Sequence, residues 1–190
     1  KQADKCKKGL NGEITIPADK SISHRAVMFS SLARGTSVIE NFSKGADCLS
    51  TLSVFKSLGV DAQFKDEKTL IIKADGKLSA PQADLYCGNS GTTMRLMSGI
   101  LAGQKFNSVL TGDESLSKRP MRRVIKPLEM MGAMIASHDF RAPLKICGTQ
   151  LHGIDYVSKL ASAQVKSCVL LAGLHAEGKT SFTEPHISRN

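Results

Sequence analysis

The chain has 190 residues, of which 41% are hydrophobic, and it carries 26 Lys and Arg against 17 Asp and Glu. That length suffices for one large or two small domains, and the formal charge of +9 points to nucleic acid, anionic membrane, or small phosphorylated or carboxylated molecules as partners. Aromatics at 5%, the absence of Trp and scattered basic residues argue against a nucleic-acid platform, and the longest apolar run, "CVLLAGL", is far too short to span a bilayer.

From Pro17 the string "PADKSISHRAVMFSSLARG" reads as a helix from Ser21, with Ala26, Val27, Phe29, Leu32 and Ala33 apolar and Gly35 ending it. Lys20 and Arg25 then sit at the end where the helix dipole is positive and disfavours cations. A strand "TSVIE" follows. A second helix is predicted over Asp47–Val60, with Leu49, Leu52, Phe55 and Leu58 inward and Gly59 as its stop, before strands "DAQFK" and "TLIIKA".

The pattern then recurs at intervals of roughly 70 residues, starting at Ser21, Ser90 and Ser162. The second unit has a helix from Ser90, a strand "NSVLT", a helix over Arg119–Ala133 with Pro120 in its first turn, and strands "AMIAS" and "PLKICG". The third has a helix from Ser162 and a strand "TSFTE". By analogy with its siblings, a further helix and two strands are expected beyond Asn190. The divisions are 1–16 as an N-terminal strand or crossover segment, then units over about 17–80, 81–150 and 151–190.

If the three helix starts at Ser21, Ser90 and Ser162 converge, their free N–H groups and dipoles make one anion site, and Lys20, Arg25 and Arg119 become its ligands. Arg95 and Lys166, one turn further in, read as structural or solvated. "CGNSGTTMR" is neither GxxxxGK[ST] nor GxGxxG, yet Gly88 and Gly91 permit close backbone approach to a ligand. His24 reads as packing or capping beside the site, and Met94, Met97, Met130, Met131 and Met134 as helix core. The five cysteines form no CxxC pair and His138, His152, His175 and His186 no ligand spacing, so reduced thiols, no metal and a cytoplasmic location are expected; the N-terminus lacks the apolar stretch of a secretory signal.

Five strings, "DKSISHRA", "GNSGTTMRL", "GDESLSKRPM", "SAQVKS" and "EPHISR", together resemble the 5-enolpyruvylshikimate-3-phosphate synthase family, in order and across nearly the whole chain. The resemblance implies an α/β fold, an inverted α/β barrel of βαβαββ units about a pseudo-threefold axis, with this chain covering mainly one of two family domains. It implies attack of the 5-hydroxyl of shikimate 3-phosphate on phosphoenolpyruvate, with loss of phosphate from a tetrahedral intermediate, and no metal or organic cofactor.

By that resemblance Lys20 contacts both substrates and serves as proton donor or charge stabiliser. Ser21 and Arg25 hold shikimate phosphate, or its carboxylate and hydroxyls. Ser162, Ala163 and Gln164 line the same subsite, where Ala163 replaces a Ser found in some members and offers only its backbone. Gly91 and Arg119, with Lys20 and Gln164, serve phosphoenolpyruvate; Arg189 supplies another cation to the shikimate phosphate. Asp47, Asn89 and Thr92 stand behind these ligands. Gly91 leaves room for the inhibitor glyphosate. The family's other domain supplies an Asp base and further cations, so these residues alone are expected to bind shikimate 3-phosphate weakly and not to turn over. The partners implied are small molecules, with no nucleic acid or membrane, and the complete protein is expected to be monomeric. The rivals are a UDP-N-acetylglucosamine enolpyruvyl transferase and a non-catalytic anion-binding module.

Overall fold

The computed structural model describes residues 11–187. Helix α1 spans Lys20–Leu32, and its cap is Asp19, whose carboxylate accepts from Ile22 N at 2.7 Å. Ser21, expected as the opener, is instead exposed inside the first turn. A carboxylate two residues earlier caps more strongly at the positive end of the dipole, which shifts the start. The inward face is Ser23, His24, Val27, Met28 and Ser31, while Phe29 remains 53% exposed. The helix ends at Ala33; Gly35 lies in strand β1 (Arg34–Ile39) with φ +115°, so it is not the stop.

Helix α2 spans Ala46–Ser57, and Gly59, at φ +91°, turns the chain after it. Cys48, Thr51, Leu52, Val54 and Phe55 are buried, whereas Leu49, expected inward, is 38% exposed. Strands β2 (Asp61–Phe64) and β3 (Leu70–Asp75) form a hairpin, and β3 lies between β2 and β1 in an antiparallel three-stranded sheet.

Next come β4 (Leu85–Tyr86), α3 (Gly91–Ala102) and β5 (Ser108–Thr111). After them the chain departs from expectation. Asp113 caps a one-turn helix α4 (Glu114–Ser117), accepting from Leu116 N at 2.7 Å. Arg119 and Pro120 then lie in the connecting turn, and α5 runs only over Arg122–Met130. Arg119 therefore opens no helix. Strands β6 (Met134–His138) and β7 (Arg141–Cys147) complete a four-stranded sheet in the order β4-β5-β7-β6, with β4 and β5 parallel. Met134 is on a strand, and it and Met130 are exposed, so only Met94, Met97 and Met131 of the expected set are core.

The last segment holds β8 (Leu151–His152), β9 (Asp155–Val157), α6 (Ala163–Gly173), β10 (Ala176–Glu177) and β11 (Ser181–Thr183), paired in parallel as β8 with β10 and β9 with β11.

Helix α3 is buried on nearly every side, as its run of Met94, Leu96, Met97, Ile100 and Leu101 requires of a central helix. It packs closely on α6, because a Cβ at Gly99 would lie 2.3 Å from the Cys168 carbonyl oxygen. Helix α2 rests on α1 and α3, and α5 on α3 and α6. The core thus gathers the helices with their N-terminal ends linked, and that linkage builds the site.

Candidate active site

Four helix starts are joined in a closed ring. The Cys48 thiol of α2 donates to the Lys20 carbonyl of α1 at 3.5 Å, and the Lys20 ammonium is ion-paired with Asp47. The Thr93 hydroxyl of α3 lies 3.4 Å from the Asp47 carbonyl oxygen. Gln164 of α6 donates to the Thr92 hydroxyl of α3 at 3.0 Å, and Arg25 of α1 donates to Ser167 of α6 at 3.0 Å. Each bond crosses from one helix to the next, so the positive ends of the dipoles share one rim.

Two of the three expected serines are caps. Ser90 accepts from Thr93 N at 3.1 Å and Ser162 from Val165 N at 3.4 Å. Ser21 instead offers its carbonyl to Arg25, at 3.3 Å. Ala163 is the first residue of α6, where its N–H has no intrahelical carbonyl to meet. Arg189 lies outside the described residues.

Two guanidinium groups crowd Gly91, and a third, that of Arg123, acts on one of them. A Cβ built there would meet Arg95 Nη1 at 2.6 Å and Arg119 Nη1 at 3.4 Å. Arg95, read from sequence as structural or solvated, donates to Gln164 Oε1 at 3.0 Å. Burial first, then Arg119 and Arg123, lower the pKa of its guanidinium from the ordinary value. Arg119 donates to Asn89 Oδ1, and the Asn89 amide donates to both carboxylate oxygens of Asp113, at 2.9 and 2.7 Å. Backbone donation from Leu116, then Asn89, holds Asp113 below the usual carboxylate range. A cleft of about 600 Å³ opens beside these groups, lined by Arg95, Arg122, Arg123, Lys126, Ser162 and Gln164.

Arg95 and Arg123 escaped the sequence reading because their proximity comes from the crossing of α3 with α5 and α6. Asp113 had a usable signal: an Asp three residues before Leu116 at the head of "DESL" is a helix-cap pattern. Lys166 is not solvated; it pairs with Glu184 at 3.1 Å, both side chains mostly buried. His24 is fully buried beside Thr51, and burial, then Lys20, pushes its imidazole down to about 4. Among the described residues, Cys48, Cys87, Cys147 and Cys168 are free thiols, with burial pushing Cys87 and Cys168 up to about 12. Among them, too, no group of three or more His, Cys, Asp or Glu is placed to hold a metal ion, and no helix is long and apolar enough to cross a membrane.

Converging helix starts and guanidinium groups gathered over a glycine define an α/β protein with a cationic pocket at its helix N-termini. Comparison with known proteins names the class. The family model for EPSP synthase (3-phosphoshikimate 1-carboxyvinyltransferase) matches residues 5–190, so the chain belongs to that family. It is 58% identical over 185 residues to the 3-phosphoshikimate 1-carboxyvinyltransferase of Bacillus cereus (strain G9842), covering 96% of this chain and 43% of that protein. The Bacillus velezensis protein of the same name is 57% identical over 187 residues, with 95% and 43% covered. The solved EPSP synthase of Acinetobacter baumannii superimposes with a TM-score of 0.91 at 50% identity, over 94% of this chain and 41% of that one. The fold is that of the enolpyruvyl transferases, and the chain spans less than half the length of these relatives.

Proposed function

We propose that this chain forms the part of a 3-phosphoshikimate 1-carboxyvinyltransferase that receives shikimate 3-phosphate and one face of phosphoenolpyruvate. In this reading Lys20 contacts both substrates and supplies a proton or stabilises charge. Ser21, Arg25, Ser162, Ala163, Gln164 and Arg189 serve shikimate 3-phosphate; Gly91, Arg119 and Gln164 serve phosphoenolpyruvate, and Asp47, Asn89 and Thr92 hold those groups in place. The reaction joins the shikimate 5-hydroxyl to C2 of phosphoenolpyruvate and then expels phosphate. These side chains contribute by placing the two anions together and by stabilising charge as the intermediate forms.

The observation that carries this reading is Gly91 beneath Arg95 and Arg119, both hydrogen-bonded to neutral amides. Arg119 shares the field of Asp113 through Asn89, whereas the partners of Arg95 among the described residues are the Gln164 amide and the Pro120 carbonyl; two guanidinium groups held this close over a glycine suit a dianionic ligand. The same reading assigns residues 1–16 to a crossover segment and 17–190 to one domain of three units. It places the base and the remaining cations on a second domain, the complete protein being a cytoplasmic monomer with small-molecule substrates and no cofactor.

The test is phosphate release from shikimate 3-phosphate and phosphoenolpyruvate by the complete gene product and by residues 1–190 alone. The complete product is expected to turn over and the 190 residues to bind shikimate 3-phosphate weakly without turnover. A complete product that accepts UDP-N-acetylglucosamine in place of shikimate 3-phosphate would overturn the reading.

A further inference from the structure

Helices α1 and α2 are cross-linked at two levels one turn apart. At the rim, Lys20 pairs with Asp47; one turn deeper, His24 Nδ1 meets Thr51 Oγ1 at 2.7 Å. His24 is four residues after Lys20 and Thr51 four after Asp47, so the two links are stacked on the facing sides of the helices. The lower link is sealed, since His24 and Thr51 are fully buried, whereas the upper one is half open to solvent.

The buried link continues. Thr51 Oγ1 lies 2.6 Å from Thr93 Oγ1, which donates to Ser90 Oγ at 2.7 Å, and Ser90 caps the helix that begins at Gly91. Thr51 and Thr93 also approach the Asp47 carbonyl oxygen, at 3.5 and 3.4 Å. His24 Nε2 has no partner among the described residues. The arrangement that leaves the cheaper orphan, a bare lone pair, has Nδ1–H donating to Thr51, Thr51 to Thr93 and Thr93 to Ser90. An exposed Lys–Asp pair contributes little rigidity alone, because two flexible side chains must be ordered for a screened attraction. A buried chain of short neutral hydrogen bonds lacks that weakness.

We propose that His24 is a positioning residue: through Thr51 it locks α1 against α2 so that the Lys20 ammonium is held at the rim. Through Thr93 and Ser90 it keeps that ammonium in register with the Gly91 start of α3. This rests on the reading of Lys20 as a substrate ligand. The ladder itself is testable without substrate.

The experiment uses the complete gene product labelled with 13Cε-lysine. Relaxation of the Lys20 Cε should show restricted motion in the native protein and motion like that of free surface lysines in Thr51→Val. Unchanged Lys20 motion in Thr51→Val overturns the proposal. In turnover assays Thr51→Val should lower kcat at least tenfold alone and not further in a Lys20→Met background; losses that multiply would also overturn it. His24→Asn, whose amide can replace Nδ1–H, should keep kcat within threefold of native, while His24→Leu should behave as Thr51→Val. Thr51→Ser keeps the hydroxyl and removes the methyl, so it serves if the valine variant fails to fold. Native Lys20 motion in Thr51→Ser supports the ladder, and loosened motion assigns Thr51 to packing and overturns it. If Lys20→Met left turnover unchanged, the substrate reading would fail while the relaxation result still judged the ladder.

Discussion

Gly91 and Arg95 stand in van der Waals contact across the first turn of α3, with room for a hydrogen but not for a methyl group: the missing Cβ would lie 2.6 Å from Arg95 Nη1. Arg95 in turn holds Gln164, and Gln164 holds Thr92. A single atom at position 91 therefore acts on α6 as well as α3.

Gly91→Ala is expected to displace the end of a side chain rather than backbone, so its melting temperature should stay within a few degrees of native. In the complete enzyme, inhibition by glyphosate should weaken by at least about tenfold, roughly 1.4 kcal/mol, with a smaller rise in KM for phosphoenolpyruvate. Inhibition constants measured for both proteins check this; equal constants would refute it.

Gly99→Ala makes the opposite case. Its methyl would meet the Cys168 carbonyl at 2.3 Å, which is backbone and cannot step aside. Forcing α3 from α6 should cost about 3 kcal/mol, the upper end for overpacked cores. Urea unfolding measures it, and a loss below about 1 kcal/mol would show that the helices separate freely.

Asp47→Asn should separate stability from activity. Its partner Lys20 is 59% exposed, and such pairs contribute about 1 kcal/mol or less. Denaturant midpoints should therefore barely move, while kcat of the complete enzyme falls as the ammonium loosens. A large stability loss with native kcat would contradict this.

Acid should destabilise the fold through His24. Burial and Lys20 lower its pKa from 6.5 to about 4, with Arg25 adding and Asp47 opposing. The unfolded chain takes up a proton near 6.5 that the folded chain refuses. His24 therefore contributes no loss above that pH, and stability falls as pH drops from 6.5 toward 4. The slope for this one proton is at most about 1.4 kcal/mol per pH unit. His175, also lowered by burial, acts in the same direction. Unfolding free energies across this range should fall less steeply in His24→Asn.

Local signals carried the helices and strands a long way. Gly59 and Gly132 stop α2 and α5, both at φ +91°, because only glycine turns there without strain. Ser90 and Ser162 announce α3 and α6 through their hydroxyls. The errors lie where two local signals compete. Asp19 displaced Ser21 as a cap, and Asp113 drew the chain into a turn of helix that left Arg119 outside α5.

Which cations gather at the helix starts is less legible than the helices themselves. Motif and resemblance single out Lys20, Arg25, Gly91, Arg119 and Gln164, and the structure sets each at or within two turns of a helix start or in the turn before α5. Arg95 was passed over because one helical position says nothing about the helix it faces. The chain His24–Thr51–Thr93–Ser90 draws on three helices, and no spacing along the sequence relates residues 24, 51 and 93.

The sequence by itself determined the family, the repeated helix-and-strand plan, and the helix ends at which Lys20 and Arg25 stand. Tertiary structure decided why those cations are tolerated. Dipoles and hydrogen bonds act within a turn or two, so each helix start alone repels them. Only packing closes four starts into one ring and ties Lys20 to Asp47 and Arg25 to Ser167, giving each cation a partner on a neighbouring helix that its own helix start cannot supply.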